Sequence, residues 1–298
     1  MSAIMDGIFK WFWGVVESHD IARQSKQTLP DGVTAITDIA YLEDGKKEHL
    51  LDVYYPEGTV DKLPVIIDIH GGGLMYAYKE LNKNYNYNLA KRGFCVFSIN
   101  YSLAPEYRFP QCLLDTVDAL RWIANNMDNY PADSDRVYIT GDSAGGFLAA
   151  HSVLLNSSEE LRNFYNVEPI GLKIRAAGLT SGMFTLKTTI AAFMAPSILG
   201  KGSLKKSKYK DVLDLAKIID KGEFVPSFLV TSKEDFIQKA TLDFQKLLES
   251  KGIEHVMKNY PKTKGGKKLE HVFSVLYPIE YAESVETIDA MIDFFNKH

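Results

Sequence analysis

The pentapeptide Gly-Asp-Ser-Ala-Gly at 141–145 is the part of the sequence that most clearly predicts chemistry. It follows a β-branched run at 136–140 and precedes a helical pattern that begins near Gly146. A serine on a sharp turn between a strand and a helix projects its hydroxyl above the sheet, and small flanking residues let the two elements approach closely. The first amide groups of that helix also face any negative charge beside Ser143. We therefore predict Ser143 as a nucleophile, the alternative being a plain glycine-rich turn.

A second glycine-rich motif, His-Gly-Gly-Gly at 70–73, ends the apolar run that begins at Leu63. Acyl transfer places negative charge on the former carbonyl oxygen, and two or three backbone N–H groups aimed at one point stabilise that charge. Side chains would obstruct such an approach, which favours glycine. We expect the amides of Gly72, Gly73 and Ala144 to form this oxyanion hole. A flexible glycine turn is the alternative for the tetrapeptide alone, but its joint occurrence with the serine turn argues against it.

A serine hydroxyl needs a general base, which in this kind of site comes from a loop after the last strand. Of the seven histidines, His271 is the one placed in such a loop. The other six lie before the serine, on the helix after it, at the start of a strand or at the last position: His19, His49, His70, His151, His255 and His298. We therefore predict His271 as the base.

The acid that orients the base is expected where the strand at 226–232 runs into Lys-Glu-Asp at 233–235. Both carboxylates emerge at the carboxyl edge of the predicted sheet, and we prefer Asp235. Glu234 is interpreted as a solvated carboxylate, and a reversal of the two stays open. Asp142 is a weaker rival, because a residue next to the nucleophile cannot easily reach behind the imidazole.

Alternating strand and helix patterns are expected to position these residues. Two strands flank a turn at Asp44 and Gly45 and form a predicted antiparallel pair. From Leu63 onward, short β-branched runs alternate with helical stretches up to a closing helix from Glu280 to Phe295. This order predicts a mostly parallel sheet with helices on both faces. The stretch 182–223 breaks the alternation and is predicted to be an inserted helical lid.

Apolar residues also mark two segments outside that alternation. One set recurs at helical spacing and predicts an amphipathic helix over about 4–23: Ile4, Ile8, Phe12 and Val15 or Val16. We expect this helix to cover the active site, with a homodimer contact or a membrane-surface contact as alternatives. A second set lies in the lid and either lines an acyl pocket or packs the lid onto the core: Phe184, Ile190, Phe193, Met194, Ile198 and Leu199. The lid lysines at 201, 205, 206, 208 and 210 are interpreted as a solvated helix face.

Composition and charge limit the classes of partner. A formal net charge of −4 over 298 residues gives no broad cationic field for nucleic acid. The segment 1–17 has neither the charge order nor the cleavage site of a signal peptide and is too short to span a bilayer, so we expect no stable membrane insertion. Two cysteines, Cys95 and Cys112, are too few for a disulfide framework and predict buried thiols in a cytoplasmic protein. We expect neither a metal nor an organic cofactor.

These motifs together resemble the hormone-sensitive-lipase-like family of esterases, in the α/β-hydrolase superfamily. His-Gly-Gly-Gly at 70–73 and Gly-Asp-Ser-Ala-Gly-Gly at 141–146 match that family's marks letter for letter. The segment 100–110 is similar to the family's stretch after the fourth strand, and His271 stands where the family has its catalytic histidine. Two departures occur: Phe236 and Ile237 replace the usual proline and leucine after the acid, and Leu74 replaces an aromatic residue after the glycines.

The resemblance implies an eight-stranded α/β-hydrolase core in a single domain over 1–298. It also implies a helical cap built from about 1–30 and from the insertion 182–223 after the sixth strand. The implied activity is hydrolysis of short- to medium-chain acyl esters, small-molecule substrates, through an acyl-enzyme on Ser143. Two alternatives stay open: an amidase such as an arylformamidase that uses the same triad, and a ligand-binding receptor that has lost catalysis. The intact set Ser143, Asp235 and His271 argues against the receptor.

Overall fold

A computed structural model describes residues 2–186, 189–200, 204–264 and 267–298, with the side chains of 2–5 and 189–192 outside the description. The strands of this part of the chain are β1 Val33–Ala40, β2 Leu50–Pro56, β3 Leu63–Ile69, β4 Cys95–Ile99, β5 Ala132–Asp142, β6 Ile174–Thr180, β7 Ser227–Ser232 and β8 His255–Tyr260. Its α-helices are α1 Ser2–Gln24, α2 Lys83–Lys91, α3 Gln111–Asn126, α4 Ala144–Ser157, α5 Glu159–Tyr165, α6 Thr189–Leu199, α7 Gln238–Ser250, α8 Phe273–Leu276 and α9 Ala282–Phe295.

The strands form one sheet in the order β1-β2-β4-β3-β5-β6-β7-β8. β2 is antiparallel to both of its neighbours, β1 and β4, and all other neighbouring strands run parallel. The predicted eight-stranded, mostly parallel sheet flanked by helices is therefore confirmed. Ile69 at the end of β3 pairs with Gly141 in β5, so the two glycine-rich motifs leave the sheet side by side at its carboxyl edge.

Burial of β3 on both faces explains its continuous apolar sequence. Val65 and Ile67 pack on one face of the sheet, in a cluster that includes Leu113 of α3. Ile66 points to the opposite face and packs in a cluster with Leu89 of α2, because successive side chains of a strand alternate. The helices on the two faces thereby fix the central strands and the sheet edge where the glycine-rich motifs lie.

Helix α1 packs against α6 with a face that differs from the predicted one. Phe9 is buried and its ring contacts Phe193 of α6, with 5.3 Å between ring centroids, while Trp13 on the same face is partly buried. The predicted face lies beside this packed one: Ile8 and Phe12 border a cavity and stay about half exposed. Although α1 has 23 residues, no helix in the described ranges is both long and apolar enough to cross a membrane.

The inserted segment 182–223 is less helical than predicted, since its described residues hold one α-helix, α6, and otherwise short 3₁₀ turns. Gly200, with a φ of +86°, ends α6 in the manner of a helix-terminating glycine. The lysines at 205, 206, 208 and 210 are exposed but lie on the turn Leu204–Lys206 and in the irregular residues after it, so the predicted helix face is wrong. The side chains of Ile4 and Ile190, and all of Lys201, lie outside the described residues.

Candidate active site

Ser143 lies at the turn between β5 and α4, with a φ of 51° and a ψ of −115°. A positive φ is unfavourable for a residue with a side chain, so the surrounding packing must hold this turn. Gly145 makes the close packing feasible, because a methyl group there would lie 1.9 Å from the carbonyl oxygen of Ile69. The strand, turn and helix predicted around Ser143 are all present.

His271 and Asp235 complete a hydrogen-bonded row that begins at Ser143. The imidazole Nε2 lies 2.9 Å from Ser143 Oγ, and the imidazole Nδ1 lies 2.8 Å from Asp235 Oδ1. With a carboxylate at Nδ1, that nitrogen carries the proton and Nε2 can accept one. The three side chains follow β5, β7 and β8, and the structure brings these three predicted residues together.

The surroundings of Asp235 favour its charged form. Its Oδ2 accepts the hydroxyl of Thr231 at 2.9 Å, and its Oδ1 accepts the N–H of Ile237 at 3.0 Å. Burial of Asp235 raises its pKa, but the hydrogen bond from His271 and the other donors outweigh burial, so the pKa lies below its ordinary value. Asp235 is therefore ionised at neutral pH, the state that a carboxylate needs to orient a histidine.

The two rival carboxylates have other partners. Glu234 is partly exposed, as a solvated carboxylate would be, but it also accepts the N–H of Leu269 at 2.9 Å and the hydroxyl of Thr263 at 3.0 Å. The Leu269 N–H also holds the pKa of Glu234 below its ordinary value. Asp142 accepts a hydrogen bond from Asn82 at 2.9 Å and does not bond to the imidazole. Glu234 thus ties down the segment that leads to the histidine, whereas Asp235 contacts the histidine itself.

The segment after β3 turns sharply at Gly72 and Gly73, whose φ angles are +92° and +62°. A methyl group on Gly72 would lie 2.0 Å from the carbonyl oxygen of Tyr76, so only glycine fits there. Within the described residues, the N–H groups of Gly72, Gly73 and Ala144 donate no hydrogen bond. Unpaired amides at this sheet edge can stabilise an oxyanion that forms beside the serine.

The hydrogen-bonded row opens into a cavity of about 1100 Å³. Its walls are mainly apolar and include Ile8, Phe9, Phe12, Trp13, Val16, Met183, Phe193, Met194, Phe236 and Ile237. We call the sheet edge that carries 70–73, 142–144, Asp235 and His271 the floor of this cavity, and α1 with α6 its roof. A methyl group on Gly73 would lie 2.6 Å from Met194 Cε and 3.4 Å from Trp13 Cζ2, so the two roof helices meet directly above this glycine.

The apolar residues of the inserted segment divide between the two predicted roles. Phe193 and Met194 line the cavity. Phe184 instead stacks on a phenylalanine of α7, with 3.9 Å between ring centroids, and Ile198 packs in the core. No set of three or more His, Cys, Asp or Glu side chains in the described ranges is arranged to hold a metal ion.

Sequence reasoning missed how two residues shape the site. Glu234 stands next to Asp235, and the pair of carboxylates at one strand end was the available signal for a second anchoring group. Trp13 follows Phe9 at helical spacing, which was the signal that both lie on one packed face. Leu74, at the position where the resemblance implies an aromatic residue, is buried outside the cavity, and the aromatic ring above Gly73 is that of Trp13.

Known proteins similar to this chain are hydrolases. The model of the BD-FAE family matches residues 51–239, more than half of the chain. Carboxylesterase NlhH of Mycobacterium tuberculosis is 33% identical over 108 residues, which cover 36% of this chain and 34% of that protein. Arylacetamide deacetylase of Bos taurus is 42% identical over 107 residues, which cover 33% of this chain and 26% of that protein. The chain thus spans about a third or less of the length of these curated relatives.

A solved structure covers nearly the whole chain. Esterase B of Lactobacillus rhamnosis has a TM-score of 0.93 at 26% identity, over 99% of this chain and 95% of its own. Its structure with a tributyrin phosphonate inhibitor has a TM-score of 0.92 over the same shares of the two chains. The predicted resemblance to hormone-sensitive-lipase-like esterases is confirmed. With this strand order and a family match that contains the serine turn, the chain belongs to the BD-FAE family of the α/β-hydrolase superfamily.

Proposed function

We propose that this protein is a serine carboxylesterase that hydrolyses short- to medium-chain acyl esters. The observation that carries the proposal is the row Asp235, His271 and Ser143 on the floor of an apolar cavity, beside unpaired amides. The relationship to a carboxylesterase, and the tributyrin phosphonate inhibitor of esterase B, support ester hydrolysis. The complete row speaks against a receptor that has lost catalysis.

In the first half of the reaction, Ser143 Oγ attacks the ester carbonyl while His271 Nε2 takes the hydroxyl proton. The carbonyl oxygen becomes negative and is stabilised by the amides of Gly72, Gly73 and Ala144. Ionised Asp235 stabilises the imidazolium that forms. His271 then gives its proton to the leaving alcohol as the carbon–oxygen bond breaks, and the acyl group stays on Ser143.

In the second half, a water molecule attacks the acyl-enzyme while His271 Nε2 takes one of its protons. The same amides stabilise the second oxyanion. When this intermediate collapses, His271 returns the proton to Ser143 Oγ and the carboxylic acid leaves. The same imidazole carries the transferred proton in each of these steps, which is why its distance of 2.9 Å from Ser143 Oγ matters.

The acyl range depends on the roof in this proposal. Segments 1–30 and 182–223 act as cap elements over one hydrolase domain that spans 1–298. The positions of Trp13 and Met194, both close to Gly73, support this assignment, because they place both helices beside the proposed oxyanion hole. The apolar walls of the cavity favour an acyl or alkyl group over a charged one.

Hydrolysis of p-nitrophenyl esters from acetate to palmitate, compared with the Ser143→Ala variant, tests the proposal. We expect turnover to peak at short or medium chains and to fall in the variant by about 10⁵–10⁶-fold, with an unchanged melting temperature. A variant that keeps appreciable turnover would exclude Ser143 as the nucleophile. A folded wild-type protein without activity on any ester would favour the receptor.

Amide hydrolysis is a second candidate function, supported by the 42% identity to arylacetamide deacetylase. The floor would act in the same way, but the leaving amine needs its proton before the bond breaks. A matched pair, p-nitrophenyl acetate and p-nitroacetanilide, separates the two functions. We expect the ratio of kcat/KM for the ester to kcat/KM for the amide to exceed the ratio of their uncatalysed hydrolysis rates. A ratio of kcat/KM values below that of the uncatalysed rates would identify an amidase.

A further inference from the structure

A buried polar network lies behind the serine turn, outside the hydrogen-bonded row. Its members are almost completely buried: Asp68, Asn82, Asn86, Ser98, Thr140 and Asp142. Asn82 is its centre, because its Nδ2 donates to Asp142 Oδ1 at 2.9 Å and to Asp68 Oδ2 at 3.1 Å. One side-chain amide therefore joins a carboxylate in β3 to the carboxylate that precedes the nucleophile.

Two neighbouring carboxylates in a buried position are unfavourable for the fold unless donors offset them. Burial raises the pKa of Asp68 to about 7, with the charge of Asp142 adding to the rise, and burial raises the pKa of Asp142 to about 6. Asp68 has further side-chain donors in Asn86 and Thr140. Among the described side chains, Asn82 is the one that donates to Asp142.

Asn82 does not perform the role that its position would normally give it. It directly precedes α2, yet its side chain makes no capping hydrogen bond. Asparagine at such a position typically stabilises a helix by capping its first free N–H groups. The 3₁₀ turn Lys79–Asn82 is instead held from behind, where Lys79 Nζ lies 2.9 Å from buried Asp52 and the Lys79 N–H donates to Asn100 at 2.7 Å. These contacts hold the Asn82 amide in place against the two carboxylates.

The network reaches the proposed oxyanion hole through Gly71. Gly71 lies directly against the Asp142 carboxylate: a methyl group on Gly71 would lie 2.4 Å from Asp142 Oδ2, and the backbone N–H of Gly71 favours the charged form of that carboxylate. On its other side, the Tyr101 hydroxyl lies 2.8 Å from the carbonyl oxygens of both His70 and Gly71. Gly71 is therefore held between Asp142 and Tyr101, directly before the two glycines that line the cavity and have unpaired amides.

We propose that Asn82 is a positioning residue for the reaction: through Asp142 and the Gly71 N–H, it fixes the direction of the Gly72 and Gly73 amides relative to Ser143. This inference rests on the proposed oxyanion role of those two amides. Asn82 acts on the reaction through Asp142 and Gly71, and contributes no atom to the bonds that form or break.

The expected effect is on the transition state, because oxyanion donors bind developing charge more strongly than the neutral carbonyl. Loss of the Asn82 amide frees Asp142 to turn, and Gly71 then loses the fixed carboxylate against which it packs. We expect kcat to fall about 10–100-fold, less than the roughly 10²–10³-fold typical for deletion of one oxyanion donor, with KM changed less than about threefold. The affinity for phenylboronic acid, which forms a tetrahedral adduct with a serine, should weaken by a similar factor.

The test compares Asn82→Ala with Asn86→Ala. Asn86 is equally buried, lies one turn further along α2 and donates to Asp68 and Ser98, but it does not contact Asp142. Active sites are counted in each protein by titration with an alkyl phosphonate, so that misfolded molecules do not enter kcat. Asn86→Ala should keep kcat and boronate affinity within about threefold of the wild type, whatever its stability.

If Asn82→Ala does not fold, Asp142→Asn serves as a second test variant, because it keeps the shape of the side chain. The amide that this substitution introduces has a single acceptor oxygen and cannot accept from Asn82 and from the Gly71 N–H on opposite sides. Its kcat should therefore fall in the same direction, and the double variant should lose less than the product of the two single losses.

Two outcomes would overturn this inference but leave the proposed esterase function standing, provided that Ser143→Ala is inactive. One is an unchanged kcat per titrated site in both Asn82→Ala and Asp142→Asn, and the other is an equal loss in Asn82→Ala and Asn86→Ala. Full activity in Ser143→Ala would instead overturn the proposed function itself.

Discussion

The floor and the roof of the cavity are held by different kinds of interaction. The floor is fixed by directional hydrogen bonds, such as the 2.8 Å contact between His271 Nδ1 and Asp235 and the 2.9 Å contact between Asn82 and Asp142. The roof is held mainly by aromatic contacts, such as the stacking of Trp13 on Tyr76 at 5.1 Å. Hydrogen bonds fix atoms to within a few tenths of an ångström, whereas apolar contacts tolerate changes of shape. If the proposed function holds, we therefore expect the floor to determine reactivity and the roof to determine the choice among esters.

The largest effect that would sharpen this comparison concerns Asp235 in the floor and the adjacent carboxylate, Glu234. In Asp235→Asn, an amide favours the wrong tautomer of His271, and we expect kcat at neutral pH to fall by about 10⁴-fold. The measurement is steady-state hydrolysis of p-nitrophenyl butyrate.

The matched control is Glu234→Gln, which keeps an oxygen that can accept from the Leu269 N–H. We expect its kcat to fall by less than about tenfold, because the imidazole retains its carboxylate partner. Equal losses in the two variants would contradict the assignment of Asp235 as the residue that orients the base.

An intermediate effect concerns the pH dependence of the floor. Because the pKa of Asp142 is raised from 3.8 to about 6, the folded state holds more protons than the unfolded state between these values. Wild-type stability therefore falls as the pH rises through this window. The amide in Asp142→Asn does not titrate, so the free energy of unfolding of this variant, relative to wild type, should rise between pH 4 and pH 7 by on the order of 1–3 kcal/mol.

Urea unfolding of both proteins at several pH values measures this difference. The substitution also changes the hydrogen bonds of the side chain at position 142. That change alters the free energy of unfolding by a similar amount at every pH, so it does not affect how the difference between the two proteins varies with pH. If the difference between the two proteins stayed flat from pH 4 to pH 7, Asp142 would not be buried in the way described.

The smallest effect concerns the roof. Trp13 lies against Gly73, whereas Ile21, further along the same helix, is 53% exposed and does not line the cavity. In Trp13→Ala, we expect kcat/KM to fall a few-fold for the acetate ester and to rise a few-fold for esters of longer chains, because the cavity gains volume beside the oxyanion hole. The ratio of kcat/KM values across the ester series is the measurement.

Ile21→Ala is the control on the same helix, and its chain-length profile should match the wild type within about twofold. A loss of all activity in Trp13→Ala would break the comparison, since it would give the roof a part in the chemistry. Identical profiles for the two variants would show that the acyl chain does not reach Trp13.

The parts of the floor that could be predicted from the sequence are those with a local signature. Ser143 and Gly72 stand in short motifs whose backbone geometry requires small residues, and His271 and Asp235 follow strands whose order along the chain was legible from β-branched runs. These signals are local in sequence, so the sheet and the positions of the candidate site residues could be inferred without knowledge of tertiary contacts.

The roof and the network behind the floor had no such signature. Periodicity showed that α1 is amphipathic, but the rotation that buries Phe9 and leaves Ile8 beside the cavity depends on the partner helix. Asn82 and Asp142 are 60 positions apart, and a single hydrogen bond between two polar residues leaves no periodic trace. Polar residues at a helix start more often cap it, which hid the role of Asn82.

The tie between Glu234 and Leu269 has a consequence for heat inactivation. The side chains of Ser232 and Glu234 hold the segment before His271 against the end of β7, while the sheet itself rests on a large apolar core. Leu269 and Phe273, on either side of His271, are also buried in an apolar cluster, and the polar contacts add to that packing. Loops nevertheless open at a lower free energy than central strands do, and opening of this one would separate His271 from Ser143 and leave the strands intact. We therefore expect heat to abolish activity at or below the temperature at which the sheet unfolds, with the side chains of Ser232 and Glu234 helping to set the difference.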